Sequence, residues 1–149
     1  MNKINSLKNL YGLDYDKSNY QSTLIDWYNR LIDKSADELS VADVSRMVRQ
    51  NVLRDVAIDR AIELFLVEPF DGEMQDGDLL ALLVSCNAEI IKSKRMEPLI
   101  AMLLKLENEI SNFDWANDNS KILFEKNHIA LKSILLQGCD HISGVDKQK

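Results

Sequence analysis

Chain-breaking residues are scarce in this sequence. Five glycines and two prolines in 149 residues are too few for the close-set turns of a sandwich or barrel of short strands, and abundant Leu, Ile, Ala, Glu and Lys favour helices. Cysteine is nearly missing as well. Cys86 and Cys139 show no C-x-x-C spacing, which excludes a disulfide framework. Both read as free thiols of a reducing compartment, Cys86 buried and Cys139 in a frayed end. No apolar run approaches the roughly 18 residues of a membrane span. The longest, "LLALLV" and "LIAMLL", are flanked by charge, and the opening "MNKINSLKNLYGLDYDKSNY" has no apolar signal core. The chain therefore reads as soluble, cytosolic and unprocessed. With 46% hydrophobic and 28% charged residues it is globular, and its length suits one domain, residues 1–149, with a core that needs neither disulfides nor a structural metal.

Positive charge is the absence that says most. The net charge is −6, which argues against free nucleic acid as the main partner, because phosphate binding requires a basic footprint. From Ala61 to Ile91 there is no Lys or Arg, while Glu63, Glu68, Asp71, Glu73, Asp76, Asp78 and Glu89 all fall there. The rest of the chain nearly balances. Such a concentrated field suits an electrostatic partner.

What is present is helical periodicity, with no internal repeat or long linker. Residues 4–11 read as one or two turns ending at Gly12, followed by a loop over 13–20. Thr23 with Asp26 is a capping pair opening a helix whose buried stripe is Leu24, Tyr28, Leu31 and Ile32, with Trp27 beside it. Ser40 with Asp43 repeats the signal ahead of Val41, Val44 and Val48, and Asn51 marks an end or a bend. A further helix over 54–67 carries Ile58, Ala61, Ile62, Phe65 and Leu66 and stops because Pro69 disfavours helix at Glu68. Asp76 reads as the cap of the next helix and Asp78 as its first-turn acid, ahead of a buried "LLALLV". Pro98 suits the first turn of a helix with the stripe Leu99, Leu103, Leu106 and Ile110. The last helix is predicted from about Asp118 to Gln137, with the stripe Phe124, His128, Leu131 and Leu135 and a stop at Gly138. The fold class is all-α, with six or seven helices in one compact domain.

Chemical motifs are missing. The acidic stretch "EPFDGEMQDGDLL" is not a calcium loop: with Gly77 as the loop glycine, Gly72 and Met74 stand where acidic ligands belong and Leu83 where the bidentate Glu belongs, and the Gly72 register fails likewise. There is no G-x-S-x-G, H-E-x-x-H or glycine-rich phosphate loop. Of two histidines, His128 lies on an apolar stripe and reads as a satisfied core residue, and His141 lies in a polar tail. Arg46, Arg49, Arg54 and Arg60 follow one another on two successive helices, as in a DNA-reading helix pair, but Asp43, Asp55 and Asp59 interleave with them. They read as solvated faces with local pairing. No enzyme activity and no cofactor are expected.

One longer order of residues stands out. Leu39, Ser40, Asp43, Val44, Met47, Val48 and Gln50 are followed by Ala61 and Phe65, and then by Pro69, Gly77, Asp78, Leu79 and Leu80, with "SLKNLYG" upstream. Over residues 6–86 this resembles the helical immunity proteins of bacterial contact-dependent growth inhibition systems. Phe65 in place of Leu and the position of Arg46 depart from that pattern. The resemblance implies a non-catalytic cytoplasmic protein that binds the toxic C-terminal domain of a large exported effector. Such toxins are commonly nucleases, many acting on tRNA, and the lack of a membrane span favours a cytosolic nuclease over a pore former. A nuclease presents a basic cleft, which an acidic inhibitor can cover.

The candidate toxin-binding residues are Glu68, Phe70, Asp71, Glu73, Asp76 and Asp78, with Asp14 and Asp16 as a second patch. Asp76 and Asp78 are read as helix-start residues first and contacts second. Tyr11, Tyr15, Phe70 and Trp115 are loop-borne aromatics able to anchor a partner, although packing over the core edge is the preferred reading of any one of them. The competing functional class is an acidic helical adaptor for a partner unrelated to toxins. A hydrolase with a carboxylate site that no motif marks is the third.

Overall fold

The computed structural model describes residues 5–18 and 22–147, with side chains described as far as residue 138. Eight α-helices form among them, six of seven or more residues, and no strand. They are α1 (Leu7–Tyr11), α2 (Thr23–Leu31), α3 (Val41–Gln50), α4 (Arg54–Val67), α5 (Asp78–Ser85), α6 (Asn87–Ile91), α7 (Met96–Leu106) and α8 (Asp118–Lys147). The all-α expectation is met. The short α6 is an addition, as are 3-10 turns at Ala36–Glu38 and Ile110–Asn112.

Local chemistry sets most of the boundaries. α1 ends at Gly12 in the left-handed region. Ser40 and Asp43 form a reciprocal capping box at the start of α3, which satisfies two backbone donors that the first turn cannot pair internally. Asn51 ends α3 with φ 55, and α4 covers the range predicted for it. One capping assignment changes here. Ser22, not Thr23, caps α2, accepting from the N–H groups of Leu24 and Ile25. The buried face of α2 rotates with it: Trp27 is buried and Leu24 is exposed. The loop after α1 is coil as far as residue 18, residues 19 and 20 lying outside the described ones.

α8 does not stop at Gly138 but continues to Lys147. A glycine inside a helix costs only about 1 kcal/mol relative to alanine, too little to end a helix already held by the burial of Phe124, His128, Leu131 and Leu135. At Gly138 a Cβ would sit 3.4 Å from the Ile91 side chain, so the residue lies where α8 passes close to α6. The side chains of Cys139 and His141 are outside the described ones.

α5 is the central helix. It lies against α8, α4, α3 and α6, while α7 packs on α8 and α4. Leu79, Leu80 and Leu83 of α5 are fully buried with Phe65 of α4, Leu99, Leu103 and Leu106 of α7, and Leu131 and Leu135 of α8. His128 is buried in that layer, and its Nε2 donates to the Leu103 carbonyl at 2.6 Å. Cys86 is buried too, and burial raises its thiol pKa. No helix among the described residues is long and apolar enough to cross a membrane.

Candidate functional site

The chain between α4 and α5 folds into an acidic loop whose shape is set by one carboxylate. Asp78, in the first turn of α5, accepts three backbone N–H groups from the loop: Glu73 at 2.7 Å on Oδ1, and Met74 and Gln75 at 2.9 and 3.1 Å on Oδ2. The Gly77 N–H donates to the Phe70 carbonyl at 2.6 Å and the Leu79 N–H to the Asp71 carbonyl at 3.2 Å. Two glycines make room for this. A Cβ on Gly72 would meet the Gln75 carbonyl oxygen at 2.0 Å and Asp78 Oδ1 at 2.2 Å. Gly77 has φ +79, and a Cβ there would meet Phe124 Cδ2 at 2.5 Å. The helix start therefore differs from the expected one. Gly77, with no side chain to offer, is the N-cap. Asp76 instead reaches sideways to accept the Ala116 N–H at 3.2 Å.

Under the loop lies an aromatic cluster drawn from three parts of the chain. Phe70 stacks on Phe113 with centroids 4.2 Å apart and touches Trp115 and Phe124 edge-on or tilted. Trp115 also packs on Phe113 and Phe124, and its indole N–H donates to the Ile110 carbonyl at 2.9 Å. Such pairs add roughly 0.5–1.5 kcal/mol each beyond burial. Phe70 is thus committed to the loop's own foundation and Trp115 largely so. Tyr11 and Tyr15 stay exposed. Tyr15 donates its hydroxyl to Asp33 at 2.5 Å, a bond that raises its pKa.

The seven carboxylates of the lysine-free stretch divide into two groups. Arginines from outside the stretch neutralise three: Arg49 holds Glu73 through two bonds at 2.9 and 3.3 Å, Arg54 holds Glu89 at 3.1 Å, and Arg95 holds Glu63 at 2.9 Å with Arg60 also alongside. Glu68, Asp71, Asp76 and Asp78 form no ion pair among the described residues. Asp78 is engaged by three backbone donors and Asp76 by one, which leaves Glu68 and Asp71 as the exposed charge, with Asp76 half-exposed beside them. Asp71 is oriented by the Gly72 N–H at 2.8 Å.

These groups border a cleft of about 470 Å³ lined by carboxylates at Glu68, Asp71, Glu73 and Asp76, by Phe70 and Phe113, and by Met74, Gln75, Asn117 and Ser120, with no Lys or Arg in the lining. Ser120 is buried and donates to Gln75 Oε1 at 3.2 Å, tying the loop to α8. Met74, Arg49, Phe113 and Ser120 carry no local sequence signal, because they enter through contacts between distant segments.

Asp14 and Asp16 are not brought to this cleft. Asp16 lines a different groove with Leu24, Ile25, Trp27, Tyr28, Gln50 and Val52. It accepts the Ser18 N–H at 2.9 Å, which lowers its pKa. The interleaved arginines are all engaged: Arg46 lies over the Trp27 ring, and Arg49, Arg54 and Arg60 form the pairs above. Asp59 pairs with Arg95 rather than with its helical neighbour Arg60. No cluster of His, Cys, Asp and Glu among the described residues is placed to hold a metal ion.

A family model described as CDI immunity proteins covers residues 9–99, a span that includes α3, α4, the acidic loop and α5. Neither curated proteins nor solved structures give a significant match.

Proposed function

The chain belongs to the CDI immunity proteins, and on that premise we propose that it acts by stoichiometric binding of one cognate toxin domain. The toxin is a cytosolic nuclease, and the protein does no chemistry of its own. The observation that carries the reading is the family match over residues 9–99, which includes the whole acidic loop. The chemistry of the loop agrees with it. A nuclease must hold phosphates with a basic cleft, and Glu68, Asp71 and the half-exposed Asp76 offer three carboxylates without ion-pair partners among the described residues, on a loop already fixed by hydrogen bonds. Fixed charges of opposite sign speed encounter, and a preformed loop loses little entropy on docking.

The test is protection. Cells expressing the toxin domain of the neighbouring effector gene should survive when this protein is co-expressed, and the two should co-purify in equal amounts. Cell death despite soluble expression of this protein, together with no complex, would refute the reading. Intact cellular RNA and DNA in unprotected dying cells would refute the nuclease assignment alone.

A further inference from the structure

Among the described residues, the two large apolar side chains left most exposed lie at the start of the acidic loop and within it. Val67, at the last position of α4, is 84% exposed, and Met74, on the rim of the cleft, is 82% exposed. Neither contributes to the core. The Met74 backbone is fixed by its N–H bond to Asp78 at 2.9 Å. An exposed methionine beside carboxylates without ion-pair partners matches the apolar centre and polar rim of protein interfaces.

We propose that Met74 and Val67, with the cleft between Phe70, Phe113 and the carboxylates of Glu68, Asp71 and Asp76, form the docking surface for a basic segment of the partner. Its arginine or lysine side chains enter the cleft and an apolar neighbour packs on Met74. This deepens the toxin-binding reading and rests on it. Charge complementarity chooses the occupant. The cleft lining has four carboxylates and no cation, and Arg49 already compensates Glu73. A guanidinium suits this lining, because its planar fork pairs with carboxylates in a fixed two-point geometry. At about 470 Å³ the cleft lies in the range of sites that seat small groups, so it accepts side chains rather than a helix. Met74 suits contact with an irregular partner surface, being unbranched and polarizable.

The test is titration of the purified protein with the toxin domain of the neighbouring effector gene at low and high salt. Glu68→Gln with Asp71→Asn and Asp76→Asn should slow association by about tenfold at low salt and flatten the salt dependence. Met74→Ser with Val67→Ser should weaken binding by about tenfold or more through faster dissociation, with the salt dependence unchanged. Met74→Leu should bind like the parent. Melting temperatures equal to the parent's show that the substituted surface is still folded. If the parent binds and both multiple variants bind equally well with the same salt dependence, this surface is not the docking site while the toxin-binding reading stands. If the parent itself does not bind, both fall.

Discussion

Arg49 and Glu73 form a two-point ion pair that joins the last turn of α3 to the acidic loop across 24 residues of sequence. The arginine comes from outside the lysine-free stretch and removes one of its seven charges. The pair is half exposed, and such pairs contribute at most about 1 kcal/mol. Arg49→Gln should therefore barely change a urea midpoint. It should leave Glu73 uncompensated, so association with a basic toxin domain becomes faster at low salt, and the difference should disappear at high salt. Stopped-flow mixing at the two salt concentrations measures both.

The loop scaffold should be far less tolerant. Asp78→Ala leaves the N–H groups of Glu73, Met74 and Gln75 without their acceptor, a loss of about 2 kcal/mol. Gly72→Ala places a methyl group within 2.0 Å of the Gln75 carbonyl oxygen, so the backbone must move. Both should lower the melting temperature. Both should also raise hydrogen-exchange rates at residues 73–75 before any change in α7 or α8.

Asp43 gives a pH signature. Burial disfavours its charge, but the Lys34 ammonium at 2.7 Å and the Ser40 N–H at 3.1 Å outweigh burial and hold its pKa below the ordinary carboxylate value. A depressed folded pKa stabilises the fold above the unfolded value of about 3.9, and this contribution is lost as pH falls through the folded value. Asp43→Asn should be less stable at neutral pH and should show a shallower fall in stability below about pH 4. Asp43→Ala should add the loss of the capping box, about 1 kcal/mol. Denaturant titrations across that pH range decide between these outcomes.

His128 serves α7 from α8. The N–H of Glu107 bonds to the Leu104 carbonyl rather than to that of Leu103, and the imidazole of His128 reaches the Leu103 oxygen from the neighbouring helix. His128→Leu fills the space but removes the donor. It should cost about 1–3 kcal/mol, seen as a lower urea midpoint with an unchanged slope. A gain in stability would show that the carbonyl needs no partner there.

What was legible in the sequence is what neighbours in the chain decide. The capping box of Ser40 and Asp43, the left-handed stop at Asn51, the halt before Pro69 and the stripes of α7 and α8 all rest on spacings of a few residues. The misread features depend on distant contacts. Trp27 replaces Leu24 on the buried face because Arg46 and α3 await it there. Asp76 bonds to Ala116, forty residues on, instead of capping α5. Gly138 is passed over because the body of α8 is already held. Leu53 adopts φ 45 at the head of α4, a conformation that a leucine's sequence context does not announce. The acidity of residues 68–78 was visible, but the division between neutralised and outward charges was not, since it depends on arginines of α3, α4 and the turn before α7.

The acidic loop keeps its architecture and its display on different residues. Asp78, Gly72 and Gly77 build the turn and face inward, whereas Glu68, Asp71 and Met74 are carried on it and bond to little else. The displayed residues can therefore be exchanged one at a time without rewriting the turn. A lineage whose partner changes its surface can follow by single substitutions, each tried on a frame that is still standing.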